Sequence, residues 1–368
     1  YGLLHSTMEA IDRHRTLKLQ VVVTGMHLLR KFGTTVNQIV RDGWRVDARV
    51  RMQTGDGSPL DAAEGLARGV AGISRFLEQG KTDVVVVLGD RIEAMAGALA
   101  AVCTGRFVAH IHGGDVAPGD FDDSLRNAIT KLAHLHLTAT RAARRRVIRM
   151  GEEAERVLFV GAPGLDRLLP LLATTNASAA GSARALVVHH PCGRTASRER
   201  RVMSRLLRAV DQAALVPTII YPNSDRGHTG ILDAIDAYRR RARSGAVRVV
   251  RSLDRETYLQ TLIDADVLVG NSSSGIIEAA TAGTPCVNIG LRQQGRQRSG
   301  GSVVDAAESL SSIREAIQTA LRKRPIRGRS SRYGDGGAGL RIAKALAAMP
   351  LTESFRRKAN AKPGKVPT

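Results

Sequence analysis

A chain of 368 residues is long enough for two domains of ordinary size and a sizeable core. Hydrophobic residues at 43% exclude a disordered chain, and aromatics at 3% argue against single-stranded nucleic acid held on stacking platforms. The net charge of +21 comes from arginines spread along the whole chain, without aromatic interleaving, so an anionic small molecule is expected as partner rather than nucleic acid.

The chain opens on a helical pattern of Leu3, Leu4, Met8 and Ile11. A β-branched run at 17–23, ending in Thr24-Gly25, predicts a buried strand with His27 in the loop beyond it. Residues 46–52 alternate and predict a second strand. Pro59 suits the first turn of a helix over 59–79. Residues 83–88, DVVVVL, predict a strand buried on both faces. It ends in Gly89-Asp90-Arg91, and a helix to about Cys103 follows.

Residues 110–140, HIHGGDVAPGDFDDSLRNAITKLAHLHLTAT, hold the densest chemistry. A strand over 106–111 runs into a loop with His110, His112, Gly113, Gly114, Asp115, Gly119 and Asp120. A helix capped by Asp122 or Asp123 comes next, and His134 and His136 fall on the following strand. These acids and imidazoles crowd the carboxyl end of a strand, where open α/β sheets bind ligands, and they are groups able to move protons near neutral pH. Gly-Gly lets a ligand approach the backbone closely. Each residue also has a structural reading, as an aspartate before a helix is ordinarily a cap. Their density in one loop is what marks a site. A helix over 141–150 and a strand over 156–160, ending in Gly161-Ala162-Pro163-Gly164, complete the first half.

Residues 173–182, ATTNASAAGS, read as a linker. A second series then places strands over 186–188, 217–220, 247–250, 267–269 and 285–289, with final helices over 306–321 and 338–348. Strands alternating with helices imply parallel sheets covered on both faces. Two such series imply two Rossmann-like domains, residues 1–172 and 173–348, with the ligand in the cleft between them. There is no Walker A loop and no G-x-G-x-x-G fingerprint after the first strand. The turn Asn271-Ser272-Ser273-Ser274-Gly275 opens a helix and forms an anion site of backbone N–H groups and hydroxyls. Lacking a P-loop lysine, it would hold a diphosphate without transferring phosphoryl groups. Glu278, one turn on, is a candidate acceptor for ribose hydroxyls. His190 is a candidate phosphate donor, since an imidazolium gives a charge-assisted bond. Arg292 and Arg296 are candidate phosphate clamps.

Cys103, Cys192 and Cys286 show no metal or disulfide spacing, which predicts a reducing compartment and no metal site. No apolar run is long enough to span a bilayer and no signal peptide is visible, so a cytoplasmic protein without a membrane partner is expected.

In order along the chain, HIHGGD, DDSLRNAITKLAHLH, VGAPGLD, HHP, YPNSD, GNSSSGIIEA, GTPCVNIGLRQQGR and YGDGGA resemble the hydrolysing UDP-N-acetylglucosamine 2-epimerases of sialic-acid and related nonulosonic-acid synthesis. The resemblance runs from Tyr1 to about Phe355. It implies an α/β fold of two Rossmann-like domains in a GT-B-type arrangement, with residues 349–368 packing back on the first domain. It implies a UDP-sugar substrate, no cofactor, no metal, and a homo-oligomer, dimer or tetramer. In the implied reaction UDP-N-acetylglucosamine loses its C2 proton and UDP departs from C1. Water adds to the 2-acetamidoglucal, giving N-acetylmannosamine. Asp90 matches the family's Gly-Asp acid. His112 stands where animal relatives carry Glu, while bacterial members resemble this chain in having His there, usually with Glu where this chain has Asp115. Asp122 and Asp123 match an acidic pair. The implied catalytic set is Asp90, His110, His112, Asp115, Asp122 and Asp123, with the acids carrying protons and the histidines orienting or assisting. Arg91, His190, Asn223, Asn271, Ser272, Ser273, Gly275, Glu278 and Arg292 would hold UDP.

Family members begin with a strand ending in a loop of the type Arg-x-Glu/Asp-Tyr/Phe-Gly, whereas this sequence begins at Tyr1-Gly2. The expectation is therefore a first sheet short of its central strand, with two neighbours lacking ladder partners, in a shortened version of an active enzyme. Relatives that resemble the chain equally act on UDP-2,4-diacetamido-2,4,6-trideoxyglucose, so the same reaction on that donor is the alternative. A GT-B glycosyltransferase using a UDP-sugar is a second alternative, and a non-catalytic polyanion binder, with its steep salt dependence, a third. The tail over 356–365 reads as a disordered end.

Overall fold

The computed structural model describes residues 1–55, 58–118, 121–174, 183–242, 247–323 and 332–358. The first half of the chain supplies β1 (Val22–Thr24), β2 (Ala48–Val50), β3 (Val84–Leu88), β4 (Phe107–Ile111), β5 (Leu135–Thr138) and β6 (Val157–Phe159). The second half supplies β7 (Arg184–Val188), β8 (Val216–Ile220), β9 (Arg248–Val250), β10 (Val267–Gly270), β11 (Cys286–Ile289) and β12 (Val303–Ala306). The second sheet has the order β12-β11-β10-β7-β8-β9, and every pair is parallel. The first half forms β3-β4-β5-β6 and a separate pair β1-β2, also parallel. The α/β architecture of two Rossmann-like units, expected from the alternation of strands and helices, is the one observed.

The local causes are legible. In the helix Pro59–Gln79, Ser58 caps the start by accepting from the Asp61 N–H, and Pro59 occupies the first turn. Its buried residues Asp61, Gly65, Gly69, Ile73 and Leu77 recur every four positions, so one face lies inward. The glycines on that face bring the helix close to Met52 and Ala96. Every residue of β4 is buried, as a parallel strand covered on both faces requires. β12 was not expected. It has only two β-branched residues before Asp305 and runs up to Ala306, where the next helix was expected to start; that helix instead begins at Leu310 behind a Ser309 cap.

β1 and β3 are not hydrogen-bonded to each other. Just before them the Thr82 hydroxyl donates to the Gln20 side-chain oxygen (2.7 Å), and Val22 and Val85 share one apolar cluster. The helix Ala338–Ala347 crosses back, burying Ile342, Ala343 and Leu346 with Ala10, Ile11 and Leu137 of the first half. Met349 joins the same cluster, and Phe355 lies against Phe107 with Arg156 over its ring. Between the halves, Ala162, Leu165 and Leu168 pack with Leu186, Leu259 and Tyr333 in an apolar seam. The expected linker begins inside the helix Leu168–Thr174, and its remaining residues lie outside the described ones, as do Gly119, Asp120 and the tail from 359. Among the described residues no helix is long and apolar enough to cross a membrane.

Candidate active site

The first wall grows from the carboxyl ends of β3 and β4. β3 ends in Gly89-Asp90-Arg91, and the Gly89 N–H donates to the Ile111 carbonyl (2.9 Å), so the two strand ends stay together. His112, immediately after β4, has φ 67°, a left-handed conformation rare for a residue with a side chain. Such backbone persists only where neighbours over-determine it. Here the His112 N–H donates to Leu137 (3.1 Å) and its Nδ1 lies 3.0 Å from Asp115 Oδ2. Arg296 of the second half donates to the same carboxylate (2.9 Å). Burial works to raise the Asp115 pKa, but the His112 hydrogen bond and Arg296 outweigh it and hold the group below the ordinary carboxylate range. Asp115 is therefore a fixed anion that orients His112. Arg296, expected as a phosphate clamp, is spent on it.

Asp122 and Asp123 do not cap their helix. The cap position is Phe121, without a side-chain bond, and both acids lie in the first turn. Asp123 accepts from the Ala117 N–H (3.0 Å) and from Arg126. Arg126 also donates to Asp90 and to the Asp115 carbonyl (3.0 Å). This guanidinium, 1% exposed, gathers acids from β3 and from the helix start into one cluster. Arg126 is not among the acids and imidazoles that mark the site in the sequence. The available signal was spacing, since Arg126 lies three residues after Asp123 on one helical face.

His110 is fully buried, with Nε2 2.8 Å from the Gly89 carbonyl and Nδ1 3.2 Å from the Thr130 hydroxyl. Burial pushes its pKa down to about 3. It is a neutral ring that braces the Asp90 loop. His136 is likewise buried, 3.0 Å from Glu152, which also pairs with Lys131 and Lys358.

The second wall is built at the ends of β7, β8 and β10. Asn271 closes the His190 loop, accepting from the His190 N–H (2.7 Å) and donating to the His190 carbonyl (2.8 Å). The Asn223 N–H donates to His190 Nδ1 (3.2 Å), so the ring proton sits on Nε2. Burial lowers the His190 pKa to about 3, and Arg292 adds to the effect. The ring is thus a neutral donor, not the imidazolium expected. Ser272 and Ser273 stand at the start of the helix Ser274–Ala282. A Cβ on Gly275 would lie 2.4 Å from Cys286 Sγ, so this glycine serves helix-to-sheet packing. Glu278 is 3% exposed and pairs with Arg255, which also donates to the Gly164 carbonyl (2.7 Å).

The walls meet. Arg91 donates to Glu93 (3.1 Å) and, across the cleft, to Asp225 (2.9 Å). Arg292 donates to the Asn271 carbonyl (3.3 Å) and lies 3.9 Å from Asp122. Lys31 lies 2.8 Å from His228. A cavity of about 280 Å³ opens between Asp90, Arg91 and Asp122 on one side and Pro191, Ser224 and Asp225 on the other. An acidic cluster able to carry protons thus faces guanidiniums and helix N–H groups able to hold a polyanionic leaving group.

Residues 9–347 match the family model described as UDP-N-acetylglucosamine 2-epimerase. A UDP-N,N'-diacetylbacillosamine 2-epimerase (hydrolyzing) of Legionella pneumophila is 33% identical over 98% of this chain and 96% of its own. A UDP-N-acetylglucosamine 2-epimerase of Neisseria meningitidis is 32% identical over 87% of this chain and 84% of its own. Among solved structures, the Methanocaldococcus jannaschii UDP-GlcNAc 2-epimerase in complex with UDP-GlcNAc and UDP superposes with a TM-score of 0.76 at 16% identity, covering 94% of this chain and 96% of that one. That likeness concerns the fold, a GT-B-like pair of Rossmann domains. With the family model spanning nearly the whole chain, the protein belongs to the UDP-N-acetylglucosamine 2-epimerase family.

Proposed function

We propose that the protein is a hydrolysing 2-epimerase that converts UDP-N-acetylglucosamine to N-acetylmannosamine and UDP. The observation that carries this reading is the meeting of two chemistries in one cleft. Asp90 and Asp123 are gathered by Arg126, with Arg91, Asp122 and the His112–Asp115 pair beside them, opposite His190, Arg292 and the helix start at Ser272-Ser273. In the first step a carboxylate takes the C2 proton while the C1–O bond to UDP breaks, leaving a C1–C2 double bond. In the second, water adds its hydroxyl to C1 and gives up a proton to one carboxylate, while an acid exchanged with solvent delivers a proton to C2 from the other face. Arg91, Arg292 and the Nε2–H of His190 stabilise charge on the departing diphosphate. Hydrolysis is supported by the names of the Legionella relative and of one from Campylobacter jejuni, both hydrolysing 2-epimerases. The resemblance further supports a cytoplasmic homo-oligomer.

The same reaction on UDP-2,4-diacetamido-2,4,6-trideoxyglucose is the second reading. Ile92, Phe121 and Pro191 give the cavity an apolar wall beside Asp90, and Phe121 is 46% exposed there. A 6-methyl and a 4-acetamido methyl suit such a wall, whereas hydroxyls in their place lose hydrogen bonds to water. A hydrophobic wall rejects an added hydroxyl by at most roughly a hundred-fold.

The test is incubation of the protein with each donor in deuterated water, followed by proton NMR. Free sugar carrying deuterium at C2, together with UDP, is expected. The ratio of kcat/KM assigns the donor. Release of UDP only in the presence of a sugar acceptor would replace the epimerase with a glycosyltransferase.

A further inference from the structure

Asp225 has no counterpart among the groups that a diphosphate site needs. Its carboxylate nevertheless sits among them. One oxygen takes Arg91 Nη1 (2.9 Å) from the other wall, and the second takes the Asn223 side-chain amide. Arg292 is close enough to act on it electrostatically. Burial works to raise its pKa, but Arg91, Arg292 and the Asn223 hydrogen bond outweigh it and hold it below the ordinary carboxylate range. These four, Arg91, Asn223, His190 and Arg292, are the donors assigned above to UDP, so this inference rests on that reading.

Neither the fold nor the placement of Arg91 requires this carboxylate. The helix His228–Arg241 is started by the Asp225 backbone carbonyl, which accepts from the His228 N–H (3.1 Å), not by the side chain. Arg91 is already oriented by Glu93 through Nε. What the Asp225 carboxylate does is satisfy the Nη1 that a phosphate oxygen would take, in a cavity whose wall it forms.

We propose that Asp225 is an internal competitor for the diphosphate. It holds Arg91 across the cleft, yields it when the donor enters, and reclaims it as UDP leaves. A carboxylate beside a bound diphosphate repels it, so Asp225 weakens UDP binding and favours product release. It acts through Arg91 and is not a catalytic residue.

The experiment is isothermal titration of the full chain with UDP and with uridine, for the wild type, Asp225→Asn and Asp225→Ala. Removing one like charge a few ångströms from the diphosphate is expected to tighten UDP binding roughly ten-fold in both variants. Uridine, lacking phosphate, is expected to bind the three proteins equally, and KM for the donor should fall in parallel with the UDP Kd. UDP binding that is unchanged or weaker in both variants overturns the proposal and makes Asp225 a bystander or a ligand contact. So does an equal tightening of UDP and uridine, which would mean a general change in the cleft. A wild-type chain that binds no UDP overturns the diphosphate site itself, which separates failure of the functional reading from failure of this inference.

Discussion

Arg126 shows how much rests on one buried side chain. It is 1% exposed and pairs with Asp90 and Asp123, so truncation leaves two carboxylates without their cation in a half-buried site. Breaking a buried pair by removing one partner costs about 3–5 kcal/mol. Arg126→Met is expected near the low end, because Asp90 and Asp123 keep 23% and 32% side-chain exposure. It should also lower kcat as the acids separate. Urea unfolding and donor turnover check both, and a variant as stable and active as wild type would remove Arg126 from the site. Asp90→Asn keeps the shape and removes one candidate proton carrier, so a loss of roughly 10²–10⁴ in kcat with UDP affinity retained is expected. His112 and Asp115 were legible as candidates because acid and imidazole clustered in one loop, and Asp90 through its match to the family's Gly-Asp motif. That His110 is a brace and Asp115 a fixed anion was not legible, since both depend on burial and on Arg296, which lies 181 residues from Asp115.

At the scale of elements, the second wall depends on how β10 hands over to its helix. Gly270 has φ 153°, and a Cβ there would lie 1.9 Å from the Val188 carbonyl oxygen on the neighbouring β7. Gly270→Ala therefore forces the two strand ends apart just where Asn271 closes the His190 loop. A destabilisation of about 3 kcal/mol or more is expected, with UDP binding weakened beyond what stability explains. Thermal unfolding with and without UDP measures both. An unchanged melting temperature would show that the strands absorb the methyl. The glycine was visible in the sequence as part of a helix-opening turn, but its partner strand was not. Likewise β12 escaped notice because its pairing with β11, not its own short sequence, makes it a strand.

The whole molecule carries buried neutral histidines. His110 and His189 are 0% and 2% exposed, and burial pushes both from 6.5 down to about 3. The unfolded chain protonates these rings below about pH 6.5 while the folded one does not until about pH 3. Their stabilising effect is thus fully present above 6.5 and is lost as pH falls toward 3. Each contributes a slope of about 1.4 kcal/mol per pH unit in that window. Among the described residues neither ring nitrogen of His189 has a hydrogen-bond partner, so His189→Leu costs no protein hydrogen bond. The variant is expected to lose about 1.4 kcal/mol per pH unit of acid sensitivity between pH 6 and 4. Urea midpoints at pH 7, 6 and 5 check it, and parallel pH profiles for both proteins would count against it.

By itself the sequence determined the alternation of strands and helices, hence two Rossmann-like units, because hydrophobic period and helix capping are local properties. It also determined the family, because the motifs and their order are read without coordinates. Only the tertiary structure decided which of the marked residues meet. Arg126 joins Asp90 to Asp123, Arg296 neutralises Asp115, and Arg91 reaches Asp225 across the cleft. Apart from the helical neighbours Arg126 and Asp123, those contacts link residues far apart in the chain, and burial sets the charge of the groups involved, so no local pattern encodes them.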